Sequence, residues 1–119
     1  MGLFARLFGK NAPSKPKNDH AVIVHFDFGS TDLSPLFVLE EELADSIAEA
    51  SVGEFDGNEV ALDGSDGSLY MYGPNADRLF EVVRPILERS TAIKNAVATL
   101  SYGSAPDAKS VKVQLRQGP

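Results

Sequence analysis

Residues 21–28 read Ala-Val-Ile-Val-His-Phe-Asp-Phe. Val22, Val24, Phe26 and Phe28 alternate with Ala21, Ile23, His25 and Asp27, a period of two that sends each set to one face of a β-strand. A strand apolar on one face needs a second layer to bury it. The next segment supplies one: Leu36, Leu39, Leu43 and Ile47 recur at helical spacing, while Glu40, Glu41, Glu42, Asp45 and Glu49 point away. Ser34-Pro35 offers an N-cap and a first-turn proline, and the helix is expected to end near Ser51 or Gly53.

The rest of the chain repeats this grammar. Glu54–Leu62 reads as a second strand with a bulge or bend at Gly57, and Glu54, Asp56 and Asn58 are expected on one face of it as a solvated acidic edge. The turn-formers Asp63-Gly64-Ser65-Asp66-Gly67 lead into a third strand, Ser68–Tyr72, so the two form a hairpin. Gly73-Pro74-Asn75 stops that strand and caps a second helix, whose buried face is Leu79, Phe80, Val83, Ile86 and Leu87. Pro85 lies inside it and is expected to kink or shorten it. Ala96–Tyr102 and Val111–Arg116 complete the set, joined through a Pro106-Asp107 turn. The order is β-α-β-β-α-β-β. It predicts an α+β fold of ferredoxin-like type, two helices on one face of a mainly antiparallel sheet, with an extra C-terminal edge strand.

At 119 residues the chain has room for one core, and it contains no cysteine, which excludes disulfides and thiolate metal sites. The net charge of −6 is unevenly placed: residues 1–18 hold Arg6, Lys10, Lys15 and Lys17 with no acid, leaving −10 for the remainder. A surface so acidic repels phosphate backbones and disfavours nucleic acid as a partner, whereas basic proteins are attracted. Residues 11–19 have linker composition, so the chain divides into a basic tail at 1–19 and a single domain at 20–119, with His20 read as plain surface at the junction. In the tail, Leu3, Phe4, Leu7 and Phe8 gather on one side of a short helix opposite Arg6 and Lys10, a pattern suited to weak peripheral membrane contact or to docking on a partner. No cleavage site follows that would make it a signal peptide, and Arg6 breaks the myristoylation pattern.

Gly53-Glu54-Phe55-Asp56-Gly57-Asn58-Glu59, Leu69-Tyr70-Met71-Tyr72-Gly73-Pro74-Asn75-Ala76-Asp77-Arg78-Leu79-Phe80 and Arg84-Pro85-Ile86-Leu87 together resemble an uncharacterised bacterial family of small α+β proteins. The resemblance spans about Leu36 to Gly103. It implies a bacterial, cytoplasmic setting and transfers no catalytic residue.

The sheet face turned away from the helices is where a site is expected. If Val22, Val24, Phe26 and Phe28 face the helices, that open face carries His25 and Asp27 from the first strand and Tyr70 and Tyr72 from the third, with Lys112 and Arg116 at the edge. Aromatics at i, i+2 are also how RNA-recognition sheets stack bases, but the glycine-aromatic run and basic rim of those domains are missing. Asp63–Gly67 is too short for an EF-hand loop and reads as a turn, so no metal site is assigned. His25 and Asp27 lie on one strand, where the carboxylate does not aim at the ring, and no catalytic residue or cofactor is assigned. The leading expectation is a non-enzymatic binding or regulatory module that uses this face, or the acidic first helix, for protein contact or self-association. A small-ligand or catalytic cleft at the same face is the alternative, and tethering through the tail is a third.

Overall fold

The computed structural model describes residues 18–117, so the tail residues Leu3, Phe4, Leu7 and Phe8 lie outside the described residues. Five strands and two helices follow in the order β1 (His20–Asp27), α1 (Ser34–Ala50), β2 (Glu54–Val60), β3 (Asp66–Gly73), α2 (Ala76–Arg89), β4 (Lys94–Ser101) and β5 (Ser110–Gln114). The strands form one sheet in the order β2-β3-β1-β4-β5, every neighbouring pair antiparallel. The fold is α+β: two helices and a five-stranded antiparallel sheet, with β5 added outside β4.

The core lies between that sheet and the helices. Val22, Val24 and Phe26 of β1, Leu69 and Met71 of β3, and Ala96, Ala98 and Leu100 of β4 are buried together with Leu36, Leu39, Leu43 and Ile47 of α1 and Leu79, Val83, Ile86 and Leu87 of α2. Both helices therefore cover one face, since alternation along each strand sends every second side chain there.

Several local details differ from what the sequence suggests. Helix α1 starts at Ser34 itself; its N-cap position falls on Leu33, and the Asp32 carboxylate takes the Ser34 N–H at 3.1 Å. That bond, with a second to the Ser34 side chain, holds the Asp32 carboxyl below the usual range. Glu40 does not point away: it is half-buried over β2 and accepts a hydrogen bond from Asn58 Nδ2. Helix α2 runs through Pro85 to Arg89 without being shortened. Pro85 is exposed, so the carbonyl it leaves unpaired one turn back is open to water. Asn75 caps α2 as expected, its side-chain oxygen accepting the Arg78 N–H at 3.1 Å.

The strand β2 carries the bulge, with Phe55 opposite Met71 and Gly57 opposite Tyr70, so Asp56 is the extra residue. Beyond it the side-chain alternation inverts. Glu54, opposite Tyr72, shares the open face, whereas Asn58, opposite Leu69, faces the helices, which corrects the expectation that the two share a face.

Candidate functional site

Registers fix what stands beside what on the open face. One row across the sheet reads Glu54, Tyr72, Ala21, Ser101, Ser110; the next reads Gly57, Tyr70, Ile23, Thr99, Lys112; the third reads Glu59, Ser68, His25, Val97, Gln114. Asp66, Asp27 and Lys94 close the end. Thus His25, Asp27, Tyr70, Tyr72 and Lys112 share one face. Arg116 is a correction: β5 ends at Gln114, and the backbone turns so that Leu115 N–H bonds Ala96 and Arg116 N–H donates to Glu88 Oε2 at 3.2 Å. That amide and the Arg84 guanidinium hold the Glu88 carboxyl below the usual range.

His25, Asp27 and Tyr70 each have a side-chain partner that their own strand does not supply. His25 Nε2 lies 3.2 Å from Asp66 Oδ2, and its Nδ1 lies 3.3 Å from Ser68 Oγ. Asp27 instead accepts from Asn95 Nδ2 at 2.8 Å. Tyr70 Oη donates to Glu59 Oε1 at 2.6 Å, and this bond chiefly pushes the phenol pKa up.

The Ser68–His25–Asp66 line contains the residue types of a nucleophile, a base and an orienting acid. Its setting argues against catalysis. The His25 and Asp66 side chains are 57% and 45% exposed, so water competes for both ring nitrogens and the pair is of the weak surface kind. A cleft of about 390 Å³ adjoins that end of the face, lined by Arg89, Thr91, Lys94, Asn95 and Gln117 among others, and none of His25, Asp27, Tyr70, Tyr72 and Lys112 lines it. Among the described residues no group of three or more His, Cys, Asp and Glu side chains is gathered to hold a metal ion.

The turn is shorter than Asp63–Gly67, since Asp66 and Gly67 already belong to β3, and its form has a structural cause. The Asp63 carboxylate accepts the Ser65 N–H at 3.0 Å, the Gly64 carbonyl accepts from Gly29 and Ser30, and the Ser65 carbonyl accepts from Phe28. Asp63 thus serves the backbone, while Asp66 turns to His25. At the opposite end His20 is not plain surface: it is half-buried, its Nδ1 accepts the Ala76 N–H at 3.0 Å at the start of α2, and its ring stands edge-on to Tyr102 at 5.7 Å. Tyr102 in turn donates to Asp77 at 2.7 Å. Sequence reading missed Asp66, Ser68, Glu59 and Asn95 as partners of the face, because the signal for them is cross-strand register rather than spacing along the chain.

No protein-family model, curated protein or solved structure matches this chain. Among the described residues no helix is long and apolar enough to cross a membrane.

Proposed function

We propose that the protein is a non-enzymatic binding module whose open sheet face meets the same face of a second copy. The observation that carries this reading is the layout of charge across the face: β2, one edge, brings Glu54 and Glu59, while β5, the other edge, brings Lys112, and half-buried Tyr70, Ile23, Thr99 and Val97 lie between. A two-fold axis parallel to β1 lays each β2 over the partner's β5. The acids then meet Lys112, and Tyr70 meets Thr99 across Ile23.

Size supports a modest affinity. Five strands at ~4.8 Å make a face about 24 Å wide and roughly 20 Å long, or about 1,000 Å² for the two copies together, the low end of specific interfaces. The topology is read as ferredoxin-like on the β4-β1-β3-β2 part of the strand order, with β5 appended, and this arrangement is what leaves the face uncovered.

Light scattering over a concentration series tests the reading. The native chain is expected to show a concentration-dependent rise in mass towards twice the monomer, and replacing Tyr70 and Tyr72 together by serine to abolish it. Lys112→Glu alone is expected to weaken association, and Lys112→Glu combined with Glu54→Lys to restore it. A strict monomer at all concentrations, or a dimer indifferent to all these changes, overturns the proposal.

A further inference from the structure

We infer that the outer face of α1 is the docking site for residues 3–10 of this same chain, a basic amphipathic segment laid along an acidic helix. The face is unusual in composition. Phe37 is 53% exposed and Val38 is 69% exposed, and the turns that follow present Glu41, Asp45 and Glu49 to solvent. Large apolar side chains beside a row of acids fit a partner with the inverse pattern, apolar on one side and basic on the other. Within this sequence Leu3, Phe4, Leu7 and Phe8 with Arg6 and Lys10 have that pattern.

The chain enters the domain at the right place. His20 pairs with Gly73, and Gly73 packs so tightly on Val52 that a Cβ there would lie 2.2 Å from the Val52 carbonyl oxygen. Val52 stands two residues past the end of α1. The tail therefore joins the fold near the C-terminal end of α1, and Phe37 lies about 20 Å away along a helix that rises 1.5 Å per residue. Residues 11–19 reach up to about 30 Å when extended, enough to set the segment on Phe37 and Val38. From residue 3 to His20 the chain then runs parallel to α1, bringing Arg6 and Lys10 towards Glu41, and Lys15 and Lys17 past Asp45 and Glu49. Glu42 faces elsewhere, bonded to Arg89 of α2, so α1 keeps its hold on α2 while its outer face is occupied.

The physics favours an intramolecular contact. A helix of about two turns is marginal alone and gains order by packing its apolar side. A short linker supplies an effective concentration in the millimolar range, so weak contacts suffice. Covering α1 also sets the tail's positive charge against part of the domain's −10.

The absence of cysteine allows a decisive test on the full chain. A nitroxide on Ala5→Cys is the unique label, and amide intensities are read by NMR. The inference expects the amides of Phe37, Val38, Glu41 and Asp45 to lose intensity, independently of protein concentration, with recovery in high salt. It expects the same loss to vanish when exposed Phe37 and Val38 are replaced by serine, or when Leu3, Phe4, Leu7 and Phe8 are. No broadening, broadening centred on the sheet face, or broadening only after anionic vesicles are added overturns the inference. So does broadening of an unlabelled isotope-enriched chain mixed with the spin-labelled one, which would place the segment on a second copy. None of these readouts depends on whether the sheet faces associate.

Discussion

At Gly64 a φ of +74° coincides with so close an approach of two backbones that a Cβ would sit 2.1 Å from the Ser30 carbonyl oxygen. Both facts point the same way. Gly64→Ala is expected to cost about 2–3 kcal/mol, the scale of left-handed strain combined with a displaced backbone, read by urea denaturation. Ser51 presents the reverse case: it closes α1 at φ 56°, a left-handed conformation that an L-residue adopts at a cost. Ser51→Gly is expected to raise stability by about 0.5–1 kcal/mol, the relief of that strain less the entropy glycine adds to the unfolded chain. Thermal denaturation checks it, and a drop in melting temperature would refute the argument. His20 shows how a residue type alone misleads. Its acceptor role at Ala76 requires an unprotonated Nδ1, and a ring protonated at both nitrogens has no acceptor to offer.

The boundaries and types of the elements were largely legible, because a period of two or of 3.6 is written in the chain itself: β1, α1 and α2 follow their apolar residues closely. Pairing was less so. Asp66 and Gly67 look like turn residues but are the first residues of β3, opposite Asp27 and Phe26, and only that register brings Asp66 to His25. The bulge at Asp56 likewise swaps the faces of the residues beyond it, which turns Asn58 inward under Glu40. Burial there, partly offset by the Asn58 bond, raises the Glu40 carboxyl above the usual range. A raised carboxyl means that the folded state binds more protons than the unfolded one, so this group lowers stability as pH rises through its unfolded and then its folded pKa. Glu40→Gln keeps an acceptor for Asn58 and removes the charge. It is expected to be more stable than the native chain at neutral pH, with the gap closing below the ordinary glutamate range; a gap that widens on acidification would contradict this. Glu88 has the opposite sign. Its depressed carboxyl contributes stability above the unfolded pKa that is lost as pH falls through the folded one, so the protection of the Arg116 amide, its exchange rate relative to that of the unfolded chain at the same pH, is expected to fall in acid.

At the scale of the whole molecule, charge sets the terms on which two copies meet. Each chain carries −6, and two such charges about 25 Å apart repel by roughly 6 kcal/mol in unscreened water. At 0.01 M salt, where the Debye length is about 30 Å, roughly 2.6 kcal/mol of that remains; at 0.15 M, where it is about 8 Å, about 0.3 kcal/mol remains. The Glu54 and Lys112 contacts proposed across the interface are exposed, worth about 0.5 kcal/mol each, and salt weakens them by less than it relieves the global repulsion. Self-association is therefore expected to strengthen from 0.01 to 0.15 M salt by roughly tenfold in the dimerisation constant, the equivalent of about 1.4 kcal/mol. Light scattering at fixed protein concentration reads this directly. A mass that falls as salt is added would mean that the paired edges, rather than the net charge, dominate the encounter, and would shift the interface towards the charged rim of the sheet. A tail variant with Arg6, Lys10, Lys15 and Lys17 replaced by glutamine leaves each copy at −10 and should deepen the salt dependence. The basic tail thus helps to decide at what ionic strength an acidic domain can approach its own kind.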